Sequence, residues 1–306
     1  EVIGEGDETK IVDFAASKEE TESGMPLEVL KKHLPQQALP LPFAFYGGAI
    51  GFIGYDAIRQ YEEIGTLNPD EIGMPDIHFM FYQDVIIFDH LSQTVTVISA
   101  DLAGNRAGTE LEKSLNQIQA DIETHQEDLR DEKLKVSFKP SMEKEAYMEM
   151  VKTAKQHITD GDIFQVVLSQ RMKASFEADP FTFYRKLRRA NPSPYMFYVD
   201  FEDYIVLGAS PESLIKTNGK QVVTNPIAGT RPRGKTDEQD RQLANALLAD
   251  EKELAEHKML VDLSRNDLGR VCSVGSITIP KYMTIERYQH VMHIVSEVQG
   301  ELTDDY

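Results

Sequence analysis

Apolar residues recur along the chain in two rhythms, one helical and one alternating. Residues 143–159 place Tyr147, Met150, Val151, Ala154 and Ile158 at helical spacing, which predicts an amphipathic helix, and Gly161 follows as its stop. Leu111, Leu115 and Ile118 repeat the pattern more weakly inside the charge-rich, aromatic-poor stretch 105–139, predicting an exposed helix and then a linker. Runs of β-branched and apolar residues at 77–89 and 94–100, parted by polar 90–93, predict a strand pair. Residues 163–170, 195–201, 204–207 and 221–224 read as further strands, with a turn at Glu202-Asp203. Asp179-Pro180 opens a helix through Phe183, Tyr184 and Leu187, an acceptor at the cap and proline in the first turn. Thr236 and Gln239 have capping-box spacing at the head of one long helix predicted to reach Leu268 and stop at Gly269. Residues 41–58 hold four glycines among apolar neighbours at irregular spacing, a composition suited to strands in close backbone contact and given no phosphate role. Consecutive strands with inserted helices, rather than strict alternation, predict an α+β fold of large antiparallel β-sheets flanked by helices. The composition shift divides it into residues 1–140 and 141–306.

Composition narrows the function classes. The 306 residues, 41% apolar and 8% aromatic, suffice for a globular core. A net charge of −19, from 51 acidic against 32 basic residues, argues against a nucleic-acid partner, which Lys and Arg must neutralise. No run approaches the roughly 20 apolar residues of a membrane span, and the first residues lack a signal-peptide pattern, so a cytoplasmic protein without a membrane partner is expected. Cys272 is the only cysteine, which excludes an intrachain disulfide and a cysteine-rich zinc site. In the strand-like Arg-Val-Cys-Ser-Val context it reads as a small buried hydrophobe rather than a nucleophile.

Five segments could carry chemistry. In Glu253-Leu-Ala-Glu256-His257 the two carboxylates lie three apart on one helical face, where hard oxygen ligands suit magnesium; the alternative is a solvated charged face. Residues 225–234, with two glycines, two prolines and two arginines, read as a loop able to offer N–H and guanidinium donors to a carboxylate, or as a plain surface connection. Asp262, Arg265, Asn266 and Asp267 read as a structural network at the end of the long helix. His290 and His293 stand at helical i,i+3 spacing, either structural or, for His293, a general acid or base. Glu212, in Ala209-Ser-Pro-Glu212 beyond an apolar strand, is placed for proton transfer if partly desolvated, and otherwise forms a turn. Gln165, whose strand face would be shared with Ile163, Val167 and Ser169, should have a hydrogen-bonding partner.

Taken in order, Asp160-Gly-Asp-Ile-Phe-Gln-Val-Val-Leu-Ser-Gln-Arg171, Asn191-Pro-Ser-Pro-Tyr-Met196, Ala209-Ser-Pro-Glu212, Pro226-Ile-Ala-Gly-Thr230, Glu253-Leu-Ala-Glu-His257, Val261-Asp-Leu-Ser-Arg-Asn-Asp-Leu-Gly-Arg270 and Met292-His-Ile-Val-Ser296 resemble the chorismate-utilising enzymes. The likeness is strong over about 143–300, making 141–306 the expected chorismate-binding domain, and weaker over 42–58. Family members that make aminodeoxychorismate typically carry lysine where this chain has Ala228, and isochorismate and salicylate synthases carry lysine at the position of Gln165. With neither lysine present, the resemblance implies ammonia as nucleophile, the pattern of anthranilate synthase large subunits in tryptophan biosynthesis. It further implies that Glu253 and Glu256 bind Mg2+, that Glu212 is the general acid for loss of the C4 hydroxyl, and that His293 assists elimination of pyruvate. Gly229 and Thr230, with Ala228 and Gln165, would line the chorismate pocket. Pro194, Tyr195 and Met196 match part of a feedback pocket for tryptophan. A glutamine amidotransferase subunit is the expected partner and ammonia source. The chain stops before a Gly-Thr-x-x-Gly-Ala-Pro-Lys segment and starts after a Leu-Leu-Glu-Ser segment of that family, so the 306 residues alone are expected to be a fragment with little or no synthase activity. Aminodeoxychorismate synthase component I, and a non-catalytic fragment that binds tryptophan or the partner, are the competing readings.

Overall fold

A computed structural model describes residues 1–35, 39–65, 68–124 and 136–305. The chain forms two compact units, Glu1–Asp128 and Leu129–Tyr306.

The first unit contains β1 (Val2–Glu5), β2 (Glu8–Asp13), β3 (Lys18–Ser23), α1 (Pro26–His33), β4 (Gly48–Ile53), a 3₁₀ turn at Tyr55–Gln60, β5 (Ile77–Tyr82), β6 (Asp84–Asp89), β7 (Thr94–Ser99) and α2 (Gly108–Thr124). Strands β3-β2-β1-β5-β4 form a sheet with every pairing antiparallel. Val2, Leu30, Ala57 and Ile77 form its core under α1 and the 3₁₀ turn. Within the glycine-rich stretch, a Cβ on Gly51 would lie 1.9 Å from the His78 carbonyl oxygen, so the two backbones can approach only because no side chain intervenes. The apolar run 77–89 is not one strand. Residue Gln83 breaks it: Ile77–Tyr82 joins the five-stranded sheet, and only Asp84–Asp89 pairs with Thr94–Ser99. Its carbonyl accepts from the Ala100 N–H at 2.8 Å, closing the second pairing. An apolar run records burial but not a change of partner. Helix α2 has no fully buried residue, as its charge-rich sequence implied; the linker expected after it falls partly at 125–135, outside the described residues.

The second unit contains β8 (Lys139–Pro140), α3 (Lys144–Asp160), β9 (Met172–Lys173), α4 (Pro180–Ala190), β10 (Tyr195–Asp200), β11 (Ile205–Ser210), β12 (Lys216–Asn218), β13 (Gln221–Thr224), β14 (Ile227–Pro232), α5 (Asp237–Leu248), α6 (Glu251–Gly269), β15 (Thr278–Arg287) and β16 (Val291–Glu301). Local signals hold. Helix α3 ends on Gly161 in the left-handed conformation, φ 83°; Asp179 caps α4 by accepting from Thr182 N at 2.7 Å; β10 and β11 pair across a turn in which Glu202 has φ 67°. Strand β16 is the spine of the larger sheet. One edge pairs with β13 and β14, and the other with β15, all antiparallel. Met292, Ile294, Ser296 and Val298 alternate as fully buried residues along it and face α5 and α6, whose Ala244, Leu247, Val261 and Leu268 complete two core clusters. Cys272 is buried in one of them, where burial raises its thiol pKa.

Four readings are corrected here. Residues 163–170 join no ladder, and Phe164 (79% exposed) and Val167 (85%), expected on opposite faces, are both open. The long helix is two: Asp250 accepts from Lys252 N and Glu253 N as a second N-cap and restarts the helix as α6. Residues 225–234 are not a loop but contain β14, held by β16 despite their glycines and prolines. His290 and His293 are not on a helix; His293 lies in β16 and His290 just before it, because two residues cannot define a period. Among the described residues, no helix is long and apolar enough to cross a membrane.

Candidate functional site

Strand β14 carries one residue more than its partner requires. Ala228 pairs with Ile294 and Thr230 with His293, so Gly229 is the bulged residue, at φ +70°. A Cβ there would come within 3.1 Å of Leu247 Cδ1 and 3.3 Å of Glu253 Oε2. Gly229→Ala is therefore expected to cost about 1–2 kcal/mol for the left-handed backbone, plus displacement of Leu247 or Glu253; chemical denaturation of the two proteins side by side would check it.

The bulge aims the Gly229 carbonyl at His293, whose Nδ1 stands 3.0 Å from that oxygen and 3.1 Å from Thr230 Oγ1. A carbonyl only accepts, so Nδ1 carries the proton and the neutral ring leaves Nε2 as its base. The ring lies 5.5 Å, centroid to centroid, from Tyr288, a residue no sequence signal had marked. Burial, and then the hydrogen bond its hydroxyl donates to Glu286 Oε2 at 2.9 Å, push the Tyr288 pKa up to about 12. That phenol stays protonated.

Glu212 follows β11. A turn places it: its N–H donates to Ser210 Oγ at 3.3 Å. The residue as a whole is exposed, yet burial around the carboxyl group raises its pKa above the ordinary glutamate range, against the opposing pull of the Ile227 backbone N–H and of His293. Glu212, when ionised, also acts electrostatically on Tyr288. Of the three expected feedback residues, Pro194 precedes β10, Tyr195 opens it and pairs with Ser210, and Met196 pairs with Ala209 on β11.

Glu253 and Glu256 share a half-buried face of α6, one turn apart. Gln165 Nε2 donates to Glu256 Oε1 at 3.2 Å, across 91 residues, which supplies the partner the sequence demanded without the strand it assumed. Arg231 Nη1 stands 3.7 Å from Glu253 Oε1, and its Nη2 2.7 Å from Asp250 Oδ2. The same face continues through Leu260, Leu263 and Asp267, which with Glu212 and Pro226 line a cavity of about 400 Å³. A separate cavity of about 520 Å³, among Phe138, Met172, Phe176, Phe183 and Leu207, contains none of these residues. Among the described residues no three His, Cys, Asp or Glu side chains form a ready-made metal cage. A pair of carboxylates one turn apart nonetheless fits Mg2+, which is commonly held by one or two carboxylates with water and substrate oxygens completing the shell.

Other ionic residues are structural. Asp240, 7% exposed, accepts from Arg233 Nε at 2.7 Å, Arg287 Nε at 2.8 Å and Gly234 N at 2.8 Å, and Arg233 Nη1 donates on to the Tyr288 carbonyl at 2.7 Å. These donors, led by Arg233, hold the Asp240 carboxyl far below its usual range. Asp262 and Arg265 form only an exposed ion pair at 3.2 Å. His257 is fully buried, its Nε2 2.7 Å from Ser296 Oγ, and binds α6 to β16.

Comparison with known proteins bears on this arrangement. The family model for chorismate binding enzymes matches residues 4–306. Anthranilate synthase component 1 of Lactococcus lactis is 45% identical over 291 residues, covering 92% of this chain and 63% of that protein. The crystal structure of anthranilate synthase component I from Streptococcus pneumoniae superposes with a TM-score of 0.85 at 41% identity, covering all of this chain and 69% of the other. Aminodeoxychorismate synthase component 1 of Bacillus subtilis is 42% identical over 266 residues, covering 86% and 56%. The chain spans about three-fifths of the length of curated anthranilate synthase component 1 relatives that it matches.

Proposed function

Because the chain belongs to the chorismate binding enzyme family, we propose that the full-length protein converts chorismate and ammonia to anthranilate and pyruvate, as an anthranilate synthase component 1, in tryptophan biosynthesis. The observation that carries this reading is the Gly229 bulge, which fixes the proton of His293 on Nδ1 while packing against Glu253. Glu212, whose pKa burial raises above the ordinary glutamate range, is suited to donate to the departing C4 hydroxyl oxygen. His293, with Nε2 bare, is suited to take the ring proton as pyruvate is eliminated. Glu253 and Glu256 would hold Mg2+, which when bound neutralises the ring carboxylate of the substrate. Thr230 steadies His293, and Ala228, buried against Ile294, places no amine in the pocket that could replace ammonia as nucleophile. At Gln165 the uncharged amide likewise offers no base to activate water. Ammonia comes from a glutamine amidotransferase subunit, and tryptophan binding near Pro194, Tyr195 and Met196 supplies feedback. The setting of these reactions is the cytoplasm.

Chromatography of the products formed by the full-length protein with chorismate, ammonium and Mg2+ tests the proposal. Anthranilate and pyruvate in equal amounts are expected. Accumulation of 4-amino-4-deoxychorismate without pyruvate would favour the aminodeoxychorismate reading, which the 42%-identical relative keeps in view.

A further inference from the structure

The two carboxylates of α6 are not equivalent. Glu256 receives a neutral amide from Gln165, whereas Glu253 faces the guanidinium of Arg231. That guanidinium is held in place without Glu253. Asp250 takes one nitrogen at 2.7 Å, the Thr230 carbonyl takes the other at 2.9 Å, and the 3.7 Å approach to Glu253 is an ion pair too long for a hydrogen bond. Arg231 is about three-quarters shielded from solvent, so its charge is incompletely screened. Its position also follows from the bulge. With Gly229 counted out of the ladder, Arg231 pairs with Met292 and faces α6, opposite to the Thr230–His293 face.

A divalent cation entering beside Glu253 and Glu256 therefore meets a fixed positive charge on one flank. We propose that Arg231 is a resident counter-cation that keeps the divalent-cation affinity of the Glu253–Glu256 pair low until a carboxylate-bearing substrate adds its own negative charge. The inference rests on the metal role proposed above for those two residues. In this proposal Arg231 is a positioning residue that acts through Glu253 and makes cation binding and substrate binding mutually reinforcing.

Mn2+ titration of the full-length protein, followed by loss of the free-ion electron paramagnetic resonance signal, reads this directly and without turnover. Arg231→Met should bind Mn2+ about three- to tenfold more tightly in the absence of chorismate, as for removal of one unit charge from a partly solvated site, and chorismate should then enhance binding less than in the wild type. Arg231→Lys, which keeps the charge, should stay weak. Asp250→Asn keeps a competent helix cap but withdraws the anion that balances Arg231, so it should bind Mn2+ more weakly, and it serves if the methionine variant does not fold. Unchanged or weaker binding in Arg231→Met, or unchanged or tighter binding in Asp250→Asn, overturns the role of Arg231. Equal Mn2+ binding by wild type and Glu256→Gln would instead overturn the metal site itself.

Discussion

Glu212→Gln is expected to lower kcat for chorismate consumption about a hundred- to ten-thousandfold, the range usual for loss of a general acid or base. Glutamine reproduces the shape and polarity of the protonated carboxyl group, so the turn at Ser210 and the cavity along α6 should persist. The proton is what disappears. Burial shifts the Glu212 pKa upward, so the acid form survives to higher pH than in a solvated glutamate, and wild-type rate should fall as pH rises through that displaced value. The glutamine variant should lack this alkaline limb. The same upward shift means that folding loses some stability as the carboxyl ionises, and the variant should be no less stable than wild type at neutral pH. Steady-state kinetics across pH 5–9, alongside thermal melts, would check both halves. A variant with near wild-type kcat and an unchanged pH profile would remove Glu212 from the chemistry.

Asp240→Asn should act on folding first, lowering Tm by roughly 5–10 °C, as expected for a large single-site effect in a domain of this size. One anionic oxygen would become an amide donor facing a guanidinium, with Arg233 and Arg287 both losing charge-assisted bonds. The damage should reach the site, since Arg233 also holds the Tyr288 carbonyl and, through its own N–H, the His290 carbonyl at 3.1 Å, the turn that delivers His293. The pH dependence has a definite sign. Asp240 is depressed in the folded state, so its contribution is complete above the unfolded value of about 4 and fades as pH falls toward the folded one. Melts from pH 3 to 7 should show the two proteins separated at neutrality and converging in acid. Parallel curves would assign the loss to something other than this carboxylate.

Much of the second unit was legible because its signals are local. The Asp179 cap, the Gly161 stop and the turn at Glu202 each depend on one residue's own geometry. What failed depended on partners. Residues 163–170 have strand composition but no neighbouring strand, and β14 has loop composition but gains a strand from β16. The single helix expected across Asp250 split because an aspartate that reads as surface charge acts as a cap once Arg231 and two backbone N–H groups converge on it. Among site residues, the spacing of Glu253 and Glu256 on one helical face was visible from periodicity, and motif order singled out Glu212 and His293. Tyr288, Asp240 and Arg231 were not visible in those roles, because each acquires its role from side chains 2 to 47 positions away in the sequence that only the folded sheet brings near.

Gly229 also separates two things that a strand usually ties together. The pairings on either side of it, Ala228 with Ile294 and Thr230 with His293, would be consecutive rungs if the residue were absent. The ladder therefore does not need it, whereas the histidine does, because its carbonyl is what orients the imidazole. This glycine is surplus to the ladder and needed for the orientation of His293. Its carbonyl sets the imidazole, while the parity of every other side chain along β14 is left in register.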